Sequence, residues 1–85
     1  MLKVFLHPEA NKEIKKIPKA YRSRILERLG ELEKLSHPLQ HPKIIKLSGA
    51  ENNFRLRVGD YRIKFTLRDS DTVLITHIQH RQVGY

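Results

Sequence analysis

The sequence predicts an α+β fold, with two N-terminal helices packed on one face of a small, mainly antiparallel sheet in the order β-α-α-β-β-β. Two patterns carry this expectation. Apolar residues recur at helical spacing as far as Leu35, and from Phe54 onward they alternate at strand spacing. The length sets the scale: 85 residues suit a single domain over 1–85 and are too few for two cores, a Rossmann unit or a barrel.

Val4, Phe5 and Leu6 read as a short first strand. His7-Pro8-Glu9 then reads as a helix start, with proline near the first helical position and an acid in the first turn. Ala10, Ile14 and Ile17 give this helix one apolar face, and Pro18 ends it and begins the next. From Lys19 to about Leu35, Tyr21, Ile25, Leu29, Leu32 and Leu35 fall on one side. Arg22, Arg24, Glu27, Arg28, Glu31 and Lys34 take the other, a mixed-sign pattern typical of a solvated, ion-paired face. Ser36, Pro38 and Pro42 terminate the helical half. Three strands follow over 54–58, 61–67 and 72–79, separated by Gly59-Asp60 and by Asp69-Ser70-Asp71.

Composition narrows the functions. Hydrophobic residues make up 39% of the chain, enough for a packed core. There is no cysteine, which excludes disulfides, zinc fingers, thiol catalysis and cysteine-held clusters. His37 and His41 stand four apart, but Pro38 and Pro42 interrupt the segment and no third ligand is nearby in sequence, so no metal site is expected. Apolar runs are too short to span a membrane, and the first six residues are too short for a signal peptide, so a cytoplasmic protein is expected. Seventeen Lys and Arg against nine Asp and Glu give a net charge of +8, the footprint of a protein that meets a polyanion.

The informative constellation is the hairpin from Phe54 to Phe65. A two-residue Gly-Asp loop with glycine first suits a primed turn and fixes the register. Val58 then faces Tyr61, Arg57 faces Arg62, Leu56 faces Ile63, Arg55 faces Lys64, and Phe54 faces Phe65. Opposed residues share a face. One face carries Phe54, Leu56, Val58, Tyr61, Ile63, Phe65 and Leu67, and belongs to the core. The other carries Arg55, Arg57, Arg62, Lys64 and Arg68 with no acid among them. Like charges directly opposed destabilise a sheet by tenths of a kcal/mol per pair, so stability does not account for this pattern and an anionic ligand does. Arginine in particular forks onto phosphate oxygens.

The last strand has two possible registers. A two-residue loop at Asp69-Ser70 puts His77 opposite Arg62, and Val73, Ile75, His77, Gln79 and Arg81 then share the cationic face. A three-residue loop puts His80 there instead of Arg81. Either brings an ionisable residue beside Arg62.

These residues resemble the RelE branch of the RelE/ParE toxin superfamily over nearly the whole chain. The resemblance rests on Lys46-Leu47-Ser48-Gly49, on Arg57-Val58-Gly59-Asp60-Tyr61-Arg62-Ile63, and on the terminal His80-Arg81-Gln82-Val83-Gly84-Tyr85. It implies a RelE-like fold and a toxin held inactive by a cognate antitoxin, whose acidic residues the cationic face would attract. It also implies an mRNA endonuclease acting in the ribosomal A site without a metal. Cleavage there joins the 2′-hydroxyl to the adjacent phosphorus, leaving a 2′,3′-cyclic phosphate and a 5′-hydroxyl. By the same resemblance Arg62 is the central phosphate-stabilising arginine. Arg81 is the later arginine, on the phosphate or assisting the leaving group, and Tyr85 is the terminal aromatic that stacks on a base or orients the 2′-hydroxyl. Lys46, Arg55, Arg57, Lys64 and Arg68 are candidate RNA contacts. Some relatives carry lysine where Arg55 and Arg57 stand. Arginine stays protonated, so these two are read as electrostatic, and His80 or His77 as the source of proton chemistry. Two other readings compete. One is a ParE-like gyrase inhibitor, a branch that generally lacks the full arginine and C-terminal His/Arg/Tyr set. The other is a non-catalytic RNA- or ribosome-binding module. Single-strand binders place stacking aromatics on the binding face, whereas here Phe54, Tyr61 and Phe65 point to the core and only Tyr85 is left for stacking.

Overall fold

The computed structural model describes residues 1–49 and 52–82. β1 (Lys3–Leu6) leads into α1 (Pro8–Lys15) and α2 (Lys19–Glu33), followed by β2 (Ile44–Lys46), β3 (Asn53–Val58), β4 (Tyr61–Leu67) and β5 (Thr72–His80). The five strands form one sheet in the order β1-β5-β4-β3-β2. Every pairing is antiparallel except β1 with β5. The fold class is therefore as the sequence predicts, with one addition. β2 is a three-residue edge strand where the sequence predicts none, and its length is too small for a period to show.

The helices begin and end for local reasons. His7 caps α1, its Nδ1 accepting from the Glu9 N–H at 3.2 Å, with Pro8 in the first turn. α2 starts on Pro18, and after it a single 3-10 turn, Pro38–Gln40, is closed by a reciprocal cap. There the Leu39 N–H donates to His37 Nδ1 and the His37 N–H donates to Gln40 Oε1. Both helices press their apolar stripes onto the sheet. Ala10, Ile14, Ile17, Ile25, Leu29 and Leu32 meet Phe54, Leu56, Val58, Ile63 and Phe65 in one core. Burying each such side chain contributes about 1.5–3 kcal/mol, which is what fixes the inward face of the hairpin. Phe54 and Phe65 stack at 5.5 Å between ring centroids, and Tyr61 packs against Tyr21 at 5.4 Å.

All five cross-strand pairs expected of the β3–β4 hairpin are present. Gly59 has φ +58° while no non-glycine residue among the described residues has positive φ, so glycine takes the first, positive-φ position of a primed turn.

The last strand follows neither expected register. It begins as a three-residue loop requires, with the Arg68 N–H donating to Thr72 O and Leu67, Thr66 and Phe65 opposite Val73, Leu74 and Ile75. Thr76 is then an extra residue, and beyond it Lys64 faces His77, Ile63 faces Ile78, Arg62 faces Gln79, and Tyr61 faces His80. Two expectations are corrected. Val73 and Ile75 are fully buried in the core, not on the cationic face, and the strand partner of Arg62 is Gln79, which does not ionise. The bulge is the cause, because one extra residue inverts the inward and outward alternation of everything after it. The Thr76 hydroxyl donates to Lys64 O at 3.1 Å, holding the bulge to β4. No helix among the described residues is long and apolar enough to cross a membrane.

Candidate nucleic-acid interface

The helices cover one face of the sheet and leave the other open. Pairing places Arg55 opposite Lys64 and Arg57 opposite Arg62 on the open face, joined there by His77 and Gln79 from β5. The neighbouring edge strand completes a hollow of about 260 Å³, lined by Arg55, Arg57, Arg62, Pro42, Lys43 and Ile45. Three arginines and a lysine around one concavity concentrate positive potential where it is least screened, a setting suited to phosphate.

A second hollow, of about 440 Å³, lies round the end of the hairpin, where Arg24 and Arg28 of α2 meet Lys43, Arg57 and the Gly59-Asp60 turn. Arg57 and Lys43 line both hollows, so the positive surface continues from the open face towards α2. Arg28 is ion-paired there, 2.8 Å from Glu31 Oε2. The mixed-sign reading of α2 therefore holds for Arg28 but hides the part that Arg24 plays at the hairpin end. No sequence pattern marks Lys43 or Arg24, since only the fold brings them to Arg57.

Arg81 reaches the same end of the sheet. Its N–H donates to Asp60 O at 2.8 Å, and its Nε lies 3.7 Å from Asp60 Oδ1. The β3–β4 turn thus positions Arg81 at the hairpin end of the sheet, a function of Asp60 that its role as a turn residue conceals.

The other expected site residues are dispersed. Lys46 is exposed but pairs with Phe54, which puts it on the helix side of the sheet edge. Arg68 is exposed past the end of β4, beyond Lys64 and remote in register from Arg62. His80 lies opposite Tyr61 on the inward parity, its ring edge-on to Tyr61 at 5.2 Å, with Nδ1 accepting from the Gln82 N–H. Tyr85 lies outside the described residues.

His77 has an environment that sequence reasoning could not supply. β1 pairs only with Thr72–Ile75, and beyond it α1 flanks β5. Glu13 of α1 accepts from the Ile78 N–H at 2.9 Å, and the same oxygen lies 3.5 Å from His77 Nδ1. These residues stand far apart in the chain, so no motif could announce them.

The remaining histidines serve local structure. His37 and His7 are caps, and His41 lies between Glu31 and the Lys43 N–H. Among the described residues no three metal-ligating groups gather.

The helix-backed sheet with its open arginine face was compared with known proteins. Residues 4–85 match the family model described as the ParE toxin of type II toxin-antitoxin system, parDE. Toxin RelE3 of Methanocaldococcus jannaschii is 33% identical over 99% of this chain and 96% of that protein. The RelE-RelB complex of Pyrococcus horikoshii OT3 superposes with a TM-score of 0.78 at 28% identity, covering 98% of both chains. The RelB-RelE antitoxin-toxin complex of Methanococcus jannaschii gives 0.77 at 27% identity, covering 91% of this chain and 89% of that one. The chain belongs to the RelE/ParE toxin superfamily, and it is a RelE-type toxin of a toxin–antitoxin system.

Proposed function

We propose that this toxin is a metal-independent endoribonuclease that enters the ribosomal A site, cuts mRNA and so arrests translation in the cytoplasm. The observation that carries this reading is the pair of opposed cationic rows, Arg55–Lys64 and Arg57–Arg62, around a hollow on a face the helices leave uncovered. Cleavage without a metal needs positive charge aimed at the phosphorane, and arginines held on two paired strands supply it already oriented. Arg62 sits in the centre and stabilises the non-bridging oxygens. Arg81, tethered to Asp60, contributes a second guanidinium from the hairpin end. Arg55, Arg57 and Lys64 draw in the strand and set its register. The 2′-oxygen bonds to phosphorus as the bond to the 5′-oxygen breaks, leaving a cyclic phosphate and a 5′-hydroxyl. Guanidinium groups stay protonated, so the proton of the 2′-hydroxyl goes to another residue.

A cognate antitoxin is the expected protein partner. The support is that the solved relatives include toxins in complex with RelB, and that an acidic segment complements a chain of net charge +8.

The family model carries the ParE name, which favours a second reading, inhibition of DNA gyrase by binding alone. One experiment separates the two: primer extension on mRNA held in programmed ribosomes, with wild type and Arg81→Ala. Cuts inside A-site codons that the variant loses support the nuclease. A folded wild type that leaves the message intact overturns it, and gyrase supercoiling is then the assay.

A further inference from the structure

We propose that Glu13 and His77 form a carboxylate–imidazole pair in which His77 is the general base for the 2′-hydroxyl and Glu13 sets its tautomer. The proposal rests on the nuclease reading and supplies a proton acceptor, a role that the guanidinium groups of the face do not fill.

Three observations carry it. His77 Nδ1 is the single buried side-chain nitrogen or oxygen among the described residues with no hydrogen bond, and Glu13 Oε1 lies 3.5 Å from it. The side chain as a whole is nonetheless 45% exposed, so its exposure falls on the other ring atoms. The bulge at Thr76 puts the ring on the open face, directly opposite Lys64 and one diagonal step from Arg62, a separation of about 7–8 Å between strand positions. Long side chains span that gap readily.

The chemistry follows from the two nitrogens. A carboxylate beside Nδ1 favours a proton there, which leaves the Nε2 lone pair to act as base. A separation of 3.5 Å is a loose contact, and such contacts tighten when substrate is bound. His80 is differently engaged: its Nδ1 already accepts from the Gln82 N–H, so neutral His80 carries its proton on Nε2 and has no lone pair to offer. In the reaction, His77 Nε2 takes the 2′-hydroxyl proton as the 2′-oxygen bonds to phosphorus. The bond to the 5′-oxygen breaks, that oxygen takes a proton from water, and the imidazolium returns its proton to solvent. The charged groups facing His77 are Glu13 from α1 and, from β4, Lys64 with Arg62 beyond it.

The test has an arm that does not require activity. Nitrogen NMR of the purified toxin reads the His77 tautomer directly. The expected result is Nδ1–H in wild type, moving towards Nε2–H in Glu13→Gln, a variant that keeps an oxygen for the Ile78 N–H. Neutral His77 carrying its proton on Nε2 in wild type overturns the pair whatever the activity. In single-turnover cleavage on programmed ribosomes, His77→Gln should be about 10²–10⁴-fold slower and lose one titrating group from the pH–rate profile. Glu13→Gln should be about tenfold slower or more, with that limb displaced and ribosome binding unchanged. Wild-type cutting matched by His77→Gln overturns the base while leaving the nuclease standing. A wild type that cuts nothing overturns both.

Discussion

His41 Nε2 lies 3.1 Å from Glu31 Oε1, and this hydrogen bond ties α2 to the segment that leads into β2. It holds the Glu31 carboxyl below its ordinary value of 4.5, and Arg28 adds to the effect. A carboxyl lowered in the folded state contributes stability that is fully present above its unfolded value and is lost as pH falls through the folded one. Glu31→Gln should therefore unfold at lower urea than wild type at pH 7. The gap should close as pH drops below about 4.5, because both proteins then carry a neutral group. Urea midpoints across pH 3–7 test this.

Arg62→Ala and Arg81→Ala should each slow cleavage by about 10²–10³-fold, the cost of removing one preorganised donor to developing charge. Neither side chain is in the buried core, so both variants should keep the wild-type circular dichroism. Loss of fold in either would remove that residue from the proposed site.

The affinity of the open face for single-stranded RNA should fall steeply with salt. Arg55→Gln and Arg57→Gln should each reduce the slope of log K against log salt by about 0.7 for every phosphate the arginine neutralises. Fluorescence anisotropy across a salt series measures it, and an unchanged slope would show that these arginines touch no phosphate.

The two sides of the sheet should respond differently to truncation. Ile63 is fully buried against the helices, and Ile63→Ala should cost about 2–5 kcal/mol. Ile45 is 50% exposed on the edge strand, and Ile45→Ala should change stability by no more than about 0.5 kcal/mol. Chemical denaturation of the pair tests which face the helices cover.

Gly59→Ala should destabilise by about 1–2 kcal/mol through backbone conformation. A Cβ there would meet only Arg24 Nη1, at 4.0 Å, so steric crowding contributes nothing. Thermal melts would reveal the loss, and an unchanged melting temperature would mean that the turn relaxes.

The hairpin was legible because its turn residues and its alternation agree. Gly59-Asp60 pins the register, and apolar side chains at every second position choose the inward face. The helices were legible for the matching reason, a periodic stripe bounded by prolines. β5 was not, because Val73-Leu74-Ile75 is apolar throughout and threonine carries no signature of a bulge. Hence Arg55, Arg57 and Arg62 could be gathered from the sequence alone, whereas Lys43, Arg24 and Glu13 required the fold. Their positions depend on how helices and an edge strand wrap the sheet, and no local spacing records that.

Thr76 gives β5 two reading frames. Before it the odd positions 73 and 75 belong to the interior, and after it the even positions 78 and 80 turn inward. Straightening the strand at this point, so that Thr76 enters the regular ladder, would exchange His77 and Gln79 for Ile78 and His80 on the open surface, with no substitution at all. Related chains aligned without regard to that frame would match residues that occupy opposite sides of the sheet. Which side chains the end of β5 presents is therefore set by the bulge as much as by the residues themselves, while the core ahead of the bulge is independent of it.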